Sequence, residues 1–263
     1  MSILAANIGN SEISIGVFTR RGDLLFKSAI STEARLTSDQ YSVQICDILK
    51  LYEVDAQNVE GTVLSSVVPT LTAPVAASLK RLFGRYPIVL GPGTKTGLNI
   101  LIENPSELGS DIVAESVSAI KKYKPPIIII EIGTATVLSA IDKNGNYLGC
   151  AICPGVELSY EVLATKTALL PHVGLKSAGS VIGKNSADSM NAGILFGTSS
   201  MIDGLIAQME EVIGPSNAVA TGSFAKEIYR YCRHPVAYDE NLLLEGLFEI
   251  YVKNTQRKDS PSL

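Results

Sequence analysis

The chain has 263 residues, of which 46% are hydrophobic, and a formal net charge of −4, which is enough apolar material for two cores of ordinary size. Its lysines and arginines are scattered rather than gathered into a stripe, which argues against a nucleic-acid partner; the one short basic cluster, Lys121-Lys122-Tyr123-Lys124, ends a helix where cations suit the dipole. No uninterrupted apolar run approaches the roughly 20 residues of a membrane helix, and the amino terminus has neither basic flank nor cleavage site, so a cytoplasmic protein without membrane contact is expected.

The chain opens with three strands, Ile3 to Asn7, Ile13 to Thr19 and Leu24 to Ile30. In the second, Ile13, Ile15 and Val17 alternate inward with polar or small residues outward. The turn between the first two is small and polar. Gly9 carries no Cβ, so backbone can approach a ligand there, and Asn10, Ser11 and Ser14 offer donors to an anion such as a phosphate. Alone, this is equally an ordinary amino-terminal hairpin.

A helix follows from Ser38, a cap candidate, to Leu51, with Tyr41, Ile45, Ile48 and Leu49 on one face. Gly61 to Pro69 reads as a buried strand ending in the hydroxyls Ser65 and Ser66, and a helix from Leu71 to Phe83 with a strand from Pro87 to Leu90 completes a βαβ-like unit. Next, Ile112, Val113, Ser116, Val117 and Ile120 form a helical face that places Asp111 in the first turn. A carboxylate there is stabilised by the exposed N–H groups, and that stabilisation is one complete account of it.

The segment Ile127 to Ile141 echoes the first hairpin. Aligning Glu131-Ile132-Gly133-Thr134 with Asn7-Ile8-Gly9-Asn10 matches strand, polar residue, Ile-Gly, a hydroxyl or amide, and a second strand. Both copies then reach a tight turn, Arg21-Gly22-Asp23 and Asn144-Gly145-Asn146, and a third strand. Two similar units opening two halves of similar size imply two related α/β domains with facing phosphate loops, 1–116 and 117–254, and a polar, disordered tail over 255–263.

The break at Cys153-Pro154-Gly155 starts a helix from Val156 to Ala168, and a turn around Gly183 to Ser186 starts another that runs to Ile213. Lys184 reads either as a phosphate ligand or as a solvated charge, and His172 as a loop residue or a base. Cys150 and Cys153 have the spacing of a redox or zinc pair, but on a strand residues three apart face opposite ways, so the four cysteines read as reduced structural thiols. Ala220-Thr221-Gly222 follows a strand and suits either a nucleotide base or close strand–helix packing, and a last amphipathic helix runs from Glu240 to Val252. Neither a P-loop nor a dinucleotide fingerprint is present.

Over about Ser2 to Asn254 the chain resembles the type III pantothenate kinases, also called Bvg accessory factor-like proteins, of the actin-like sugar-kinase and chaperone ATPase superfamily. The resemblance is carried, in order, by Asn7 to Ser11, Ser65 to Pro69, Lys95-Thr96-Gly97, Asn104-Pro105 through Gly109-Ser110-Asp111, Gly133 to Thr136, Pro154-Gly155, Ile182 to Ser186 and Ala220-Thr221-Gly222. It implies an α/β fold of two related actin-like domains with duplicated β-hairpin phosphate loops. The implied reaction is ATP-dependent phosphorylation of pantothenate on its 4′-hydroxyl, the first step of coenzyme A biosynthesis.

By that resemblance Asn7, Ile8, Gly9, Asn10, Ser11, Glu12, Ile13, Ser14 and Thr134 bind ATP with Mg2+, and Asp111 is the base. Gly109, Ser110, Asp111, Ile112 and Ser186 line the pantothenate pocket. Glu131 holds a monovalent cation, K+ or NH4+, at the interface of a homodimer.

Five positions depart from the family pattern. Asn7 stands where an Asp is usual and removes a full charge from the place where magnesium is held directly or through water. Glu131 stands for an Asp and lengthens the arm that carries the carboxylate. Ile112 stands where many members have Arg, while Ser11 and Ser186 stand for Thr and keep the hydroxyl. The alternative reading is a catalytically weakened relative that binds nucleotide or pantothenate as an accessory or regulatory protein. A sugar or acetate kinase of the same superfamily is a third reading, resting on fold alone.

Overall fold

A computed structural model of the chain describes residues 1–255. Its backbone divides into two units, one of Met1–Gly97, Asn104–Ser118 and the chain from Leu242 onward, the other of Leu98–Glu103 and Ala119–Asn241.

The first unit is built on strands β1 (Ser2–Ile8), β2 (Glu12–Thr19), β3 (Leu24–Ser31), β4 (Val59–Ser66) and β5 (Ile88–Val89), in the order β3-β2-β1-β4-β5. The hairpin strands pair antiparallel; β1, β4 and β5 run parallel because helices make their crossovers. Helix α1 (Ser38–Leu51) is capped by Thr37, one residue ahead of the expected Ser38. The Thr37 side chain accepts from the Gln40 amide while the Gln40 side chain accepts from the Thr37 amide, a reciprocal capping box. Helix α2 (Pro69–Phe83) starts on a proline, whose missing N–H costs nothing there, and ends on Gly84 in the left-handed conformation, φ 73°. Tyr41, Ile45 and Leu49 of α1 and Leu71, Val75 and Leu79 of α2 pack on Leu4, Ala6, Ile13, Ile15 and Val17.

The expected in-out alternation of β2 is not what the structure has. Ser14, Gly16 and Phe18 are buried as well, because the last helix, α7 (Leu242–Thr255), covers the other face of the sheet. Leu244 lies against Gly16, and Phe248 stacks on Phe18 with ring centroids 5.1 Å apart. So α7 belongs with the first unit, and a boundary that gives 117–254 to the second does not describe the packing. Asn254 and Thr255 are helical; the rest of the expected disordered tail lies outside the described residues.

Helix α3 (Ser110–Lys122) meets α7 at its closest point, where Gly246 faces the carbonyl of Ala114 with no room for a Cβ.

The second unit repeats the plan. It comprises β6 (Asn99–Ile100), β7 (Ile127–Ile132), β8 (Ala135–Ile141), β9 (Asn146–Pro154), β10 (Asn217–Thr221) and β11 (Val236–Tyr238). Read as β9-β8-β7-β10-β11, its order and its pairing senses are those of β3-β2-β1-β4-β5, with two-residue β6 added beside β9. Helices α4 (Val156–Lys166), α5 (Ser186–Ile213) and α6 (Ala225–Ile228) cover one face, where Met190, Ile194, Leu195, Ile202 and Ile206 pack on Ile128, Ile130 and Ile132. The unbroken apolar run of β7 is that of a central strand buried on both faces.

No helix among the described residues is long and apolar enough to cross a membrane. The four cysteines are free thiols, and burial pushes the Cys232 thiol up to about 12, far from reactive.

Replacing Gly246 by Ala forces a methyl into the Ala114 carbonyl and moves α3. The expected cost is about 1–3 kcal/mol in urea unfolding. An unchanged midpoint would show that α3 and α7 are free to separate.

Candidate functional site

In the first unit, chemistry-bearing residues gather where β1 and β4 end and α3 begins. The β1–β2 turn is closed by the Gly9 amide donating to the Glu12 carbonyl at 2.9 Å. Thr32, just past β3, grips that turn twice: its amide donates to the Ser11 carbonyl at 3.0 Å and its hydroxyl to the Gly9 carbonyl at 2.7 Å. The Val67 amide donates to the Ile8 carbonyl at 3.0 Å and so ties the end of β4 to the end of β1. Of the predicted phosphate-loop residues, Asn7, Ile8, Ile13 and Ser14 are buried, while Asn10, Ser11 and Glu12 form the exposed tip. The Ser14 hydroxyl donates to the Glu12 carboxylate at 3.0 Å, and Ser14 is the residue paired with Asn7 across the strands.

Two hydroxyls at the end of β4 organise the rest. Ser65, fully buried, donates to the Asn7 side-chain oxygen at 2.5 Å. The Ser66 amide donates to the Ser110 hydroxyl at 3.0 Å, and the same hydroxyl donates to the Ser66 carbonyl at 3.2 Å. This reciprocal pair pins the first residue of α3 to the strand end, which places Asp111 beside it. Ser66 uses its own hydroxyl locally, accepting from Thr72 at 2.9 Å.

The Asp111 carboxylate accepts from the Ile112 amide at 2.8 Å. Burial pushes its carboxyl pKa up, and the amides of Ile112 and Asp111 itself pull it partly back. Gly109 is dictated by that carboxylate, for a Cβ at 109 would run into an Asp111 oxygen. Ile112 is half-buried.

The second unit has a matching turn, one residue shorter. The Gly133 amide donates to the Ala135 carbonyl at 2.9 Å, and Gly155, just past β9, grips the Thr134 carbonyl at 3.1 Å as Thr32 grips Ser11. A Cβ on Gly155 would strike the Gly133 and Thr134 carbonyls, so this grip needs glycine. The Phe224 amide donates to the Ile132 carbonyl at 2.9 Å, the counterpart of Val67 on Ile8. Glu131 and Thr134 are half-buried beside this turn. Ser186 is the first residue of α5, just past the Asn185 cap that accepts from the Asp188 amide. His172 and Lys184 are exposed and line an open cavity of about 580 Å³ with Lys176 and Asn191.

The structure therefore gathers Asn7 to Ser14 and Gly109 to Ile112 within one unit, and Glu131, Thr134 and Ser186 within the other. The links it adds are Thr32, Ser65 and the use of Ser110 as a tie. The two hydroxyls at the end of a buried strand were the signal for Ser65 and Ser66. Nothing in the local sequence marks Thr32.

A model of the type III pantothenate kinases matches residues 3–208. The chain belongs to that family. A type III pantothenate kinase of Exiguobacterium sp. strain AT1b is 38% identical over 253 residues, covering 96% of this chain and 99% of its own. Among solved structures, a Baf family protein of Campylobacter jejuni superimposes with a TM-score of 0.60 at 17% identity, covering 95% of this chain and 98% of its own. The ROK hexokinase of Thermus thermophilus gives 0.52 at 13%, covering 96% and 99%. The fold is thus the two-domain actin-like fold shared with sugar kinases. The chain is a kinase, a phosphotransferase that uses ATP, and an accessory protein without catalysis is not favoured.

Asp111 carries a stability signature. A carboxyl whose folded pKa is raised contributes stability below its unfolded value and loses it as pH rises through the folded value, so folding disfavours the charged form of this half-buried group. Asp111→Asn is therefore expected to raise the melting temperature at pH 7, with the gain shrinking as pH falls through the Asp111 pKa. A variant less stable than wild type at pH 7 would mean that the carboxylate is held by interactions outweighing its burial.

Proposed function

We propose that the chain transfers the γ-phosphoryl group of ATP to the 4′-hydroxyl of pantothenate, with Asp111 as the base that accepts the hydroxyl proton. The observation that carries this reading is the Asp111 carboxylate itself, half-buried, raised in pKa by desolvation and fixed by the Ser66–Ser110 tie, in a chain of pantothenate kinase family. A carboxylate whose pKa is raised is a better proton acceptor than an ordinary one.

The other roles follow the residue types. From the first unit, the turn residues Asn7 to Ser14 hold the ATP phosphates, and Gly109, Ser110 and Ile112 line the pantothenate pocket. From the second, Thr134 contacts the nucleotide and Ser186 contacts pantothenate. Ile112 offers packing where an arginine would offer charge, so the pantothenate carboxylate draws its partner from elsewhere.

Phosphoryl transfer asks little covalent chemistry of the protein; it asks for alignment and for donors around the moving charge. Magnesium enters as part of the MgATP substrate. Among the described residues no group of three or more His, Cys, Asp or Glu is gathered that could hold a metal, and Asn7 brings an amide to the strand end, so the ion is held chiefly by the phosphates. Glu131 holds a monovalent cation, K+ or NH4+. Its carboxylate stands beside the Gly133 turn and is a hard oxygen donor of the kind such an ion takes. The protein works as a cytoplasmic homodimer.

The test is ATP-dependent phosphorylation of pantothenate in potassium, ammonium or sodium. Wild type is expected to turn over with potassium or ammonium and much less with sodium, and Asp111→Asn to lower kcat by about 10²–10⁴. The activity of the wild type should rise with pH through a midpoint above about 4, the ordinary Asp value. Turnover by Asp111→Asn close to that of wild type would remove Asp111 from the base role, and equal rates in all three salts would remove the cation.

A further inference from the structure

Asn7 is 7% exposed, and its two polar atoms have different fates. The oxygen accepts from the Ser65 hydroxyl at 2.5 Å. The nitrogen has no hydrogen-bond partner among the described residues and lies 3.8 Å from the position a Cβ would take on Gly9, so it faces the turn. Ser65 is 0% exposed and its proton has no other acceptor among those residues. Turning the amide over would give Ser65 a second donor to face and leave its own proton unused, which fixes the orientation. An amide whose nitrogen has both protons unspent and is not shut off from solvent, at the mouth of a glycine turn, is placed to donate to an anionic oxygen, while its own oxygen is engaged by Ser65.

We propose that Asn7, locked by Ser65, is a hydrogen-bond donor to a phosphate of the bound nucleotide and makes part of nucleotide binding independent of magnesium. The proposal rests on the reading that the Asn7–Ser14 turn receives ATP, and it states what Asn7 does there. A carboxylate at this position would need a cation between itself and the phosphates. The amide meets them directly.

The test is calorimetric titration of the full chain with an imido-bridged ATP analogue, in EDTA and in magnesium. Wild type is expected to bind in EDTA within about tenfold of its affinity in magnesium, about 1.4 kcal/mol. Asn7→Asp is expected to lose more than about tenfold in EDTA, since like charges then face each other, and to recover with magnesium. That recovery also shows that the variant is folded. Ser65→Ala, which frees the amide to turn, is expected to weaken binding severalfold in EDTA and to change it less in magnesium; it decides the matter if Asn7→Asp does not fold.

Wild-type binding only with magnesium, or an Asn7→Asp protein that binds equally well in EDTA, overturns the donor role and leaves ATP binding intact. Absence of binding in both conditions overturns the nucleotide reading and the Asn7 role together.

Discussion

The hydroxyl of Ser110 is the point on which the arrangement around Asp111 depends. By accepting from the Ser66 amide and donating to the Ser66 carbonyl, it imitates one rung of a strand ladder and fastens a helix start to a strand end. Asp111 then has little freedom: its backbone belongs to α3, its carboxylate is met by the Ile112 amide, and Gly109 leaves the space it occupies. The helix is held from the far side by α7, which comes against it at Gly246. A half-buried, desolvated carboxylate placed this way costs stability, and the tie, the glycine and the helix contact are what keep it there.

The two units solve one problem with different residues. Each must leave a turn open at the end of its central strand, and each does so by gripping the turn's carbonyls from the residue just past the third strand. Thr32 uses an amide and a hydroxyl; Gly155 uses an amide alone and comes so close that only glycine fits. Gripping carbonyls leaves the turn's own side chains, and the strand-end residues Asn7 and Glu131, turned to other work. The conserved feature between the halves is therefore a backbone arrangement. The side chains at its edge, an amide in one and a carboxylate in the other, suit different ions.

Much of this was legible in the sequence. The duplicated hairpins announce themselves through Ile-Gly pairs, alternating strands and the glycine turns at Gly22 and Gly145, both of which take positive φ, because these signals are local. The helix ends were legible for the same reason; α1 spans the expected Ser38–Leu51, and only its cap differs, Thr37 with the Gln40 box in place of Ser38. What was not legible is what joins distant segments. Strand β6 has two residues and exists by pairing with β9 across more than forty positions. The amphipathic pattern of α7 says that a face is buried but not under which sheet, and the burial of Gly16 and Phe18 on β2 follows from that answer. Ser65 and Ser66 drew notice as polar residues in an apolar strand, yet their partners lie 58 and 44 positions away.

The same distinction governs how Asn7 reads. As a letter it is a lost charge, and a lost charge at a phosphate site suggests decay. As a group in the fold it is a committed one: its oxygen satisfies a buried serine and its nitrogen is left for something else. A degraded site would show unspent groups without orientation, whereas here the Asn7 nitrogen, without a partner among the described residues, faces the turn and a hydroxyl fixes it there. Loss of a metal-binding charge weakens transition-state stabilisation most when the ion is the only positive group near the moving phosphoryl. On the proposed reading amide donors share that task, so the carboxylate that would hold the ion is no longer the part on which the chemistry turns, and the burden moves to Asp111, the proposed base, and to the tie that positions it.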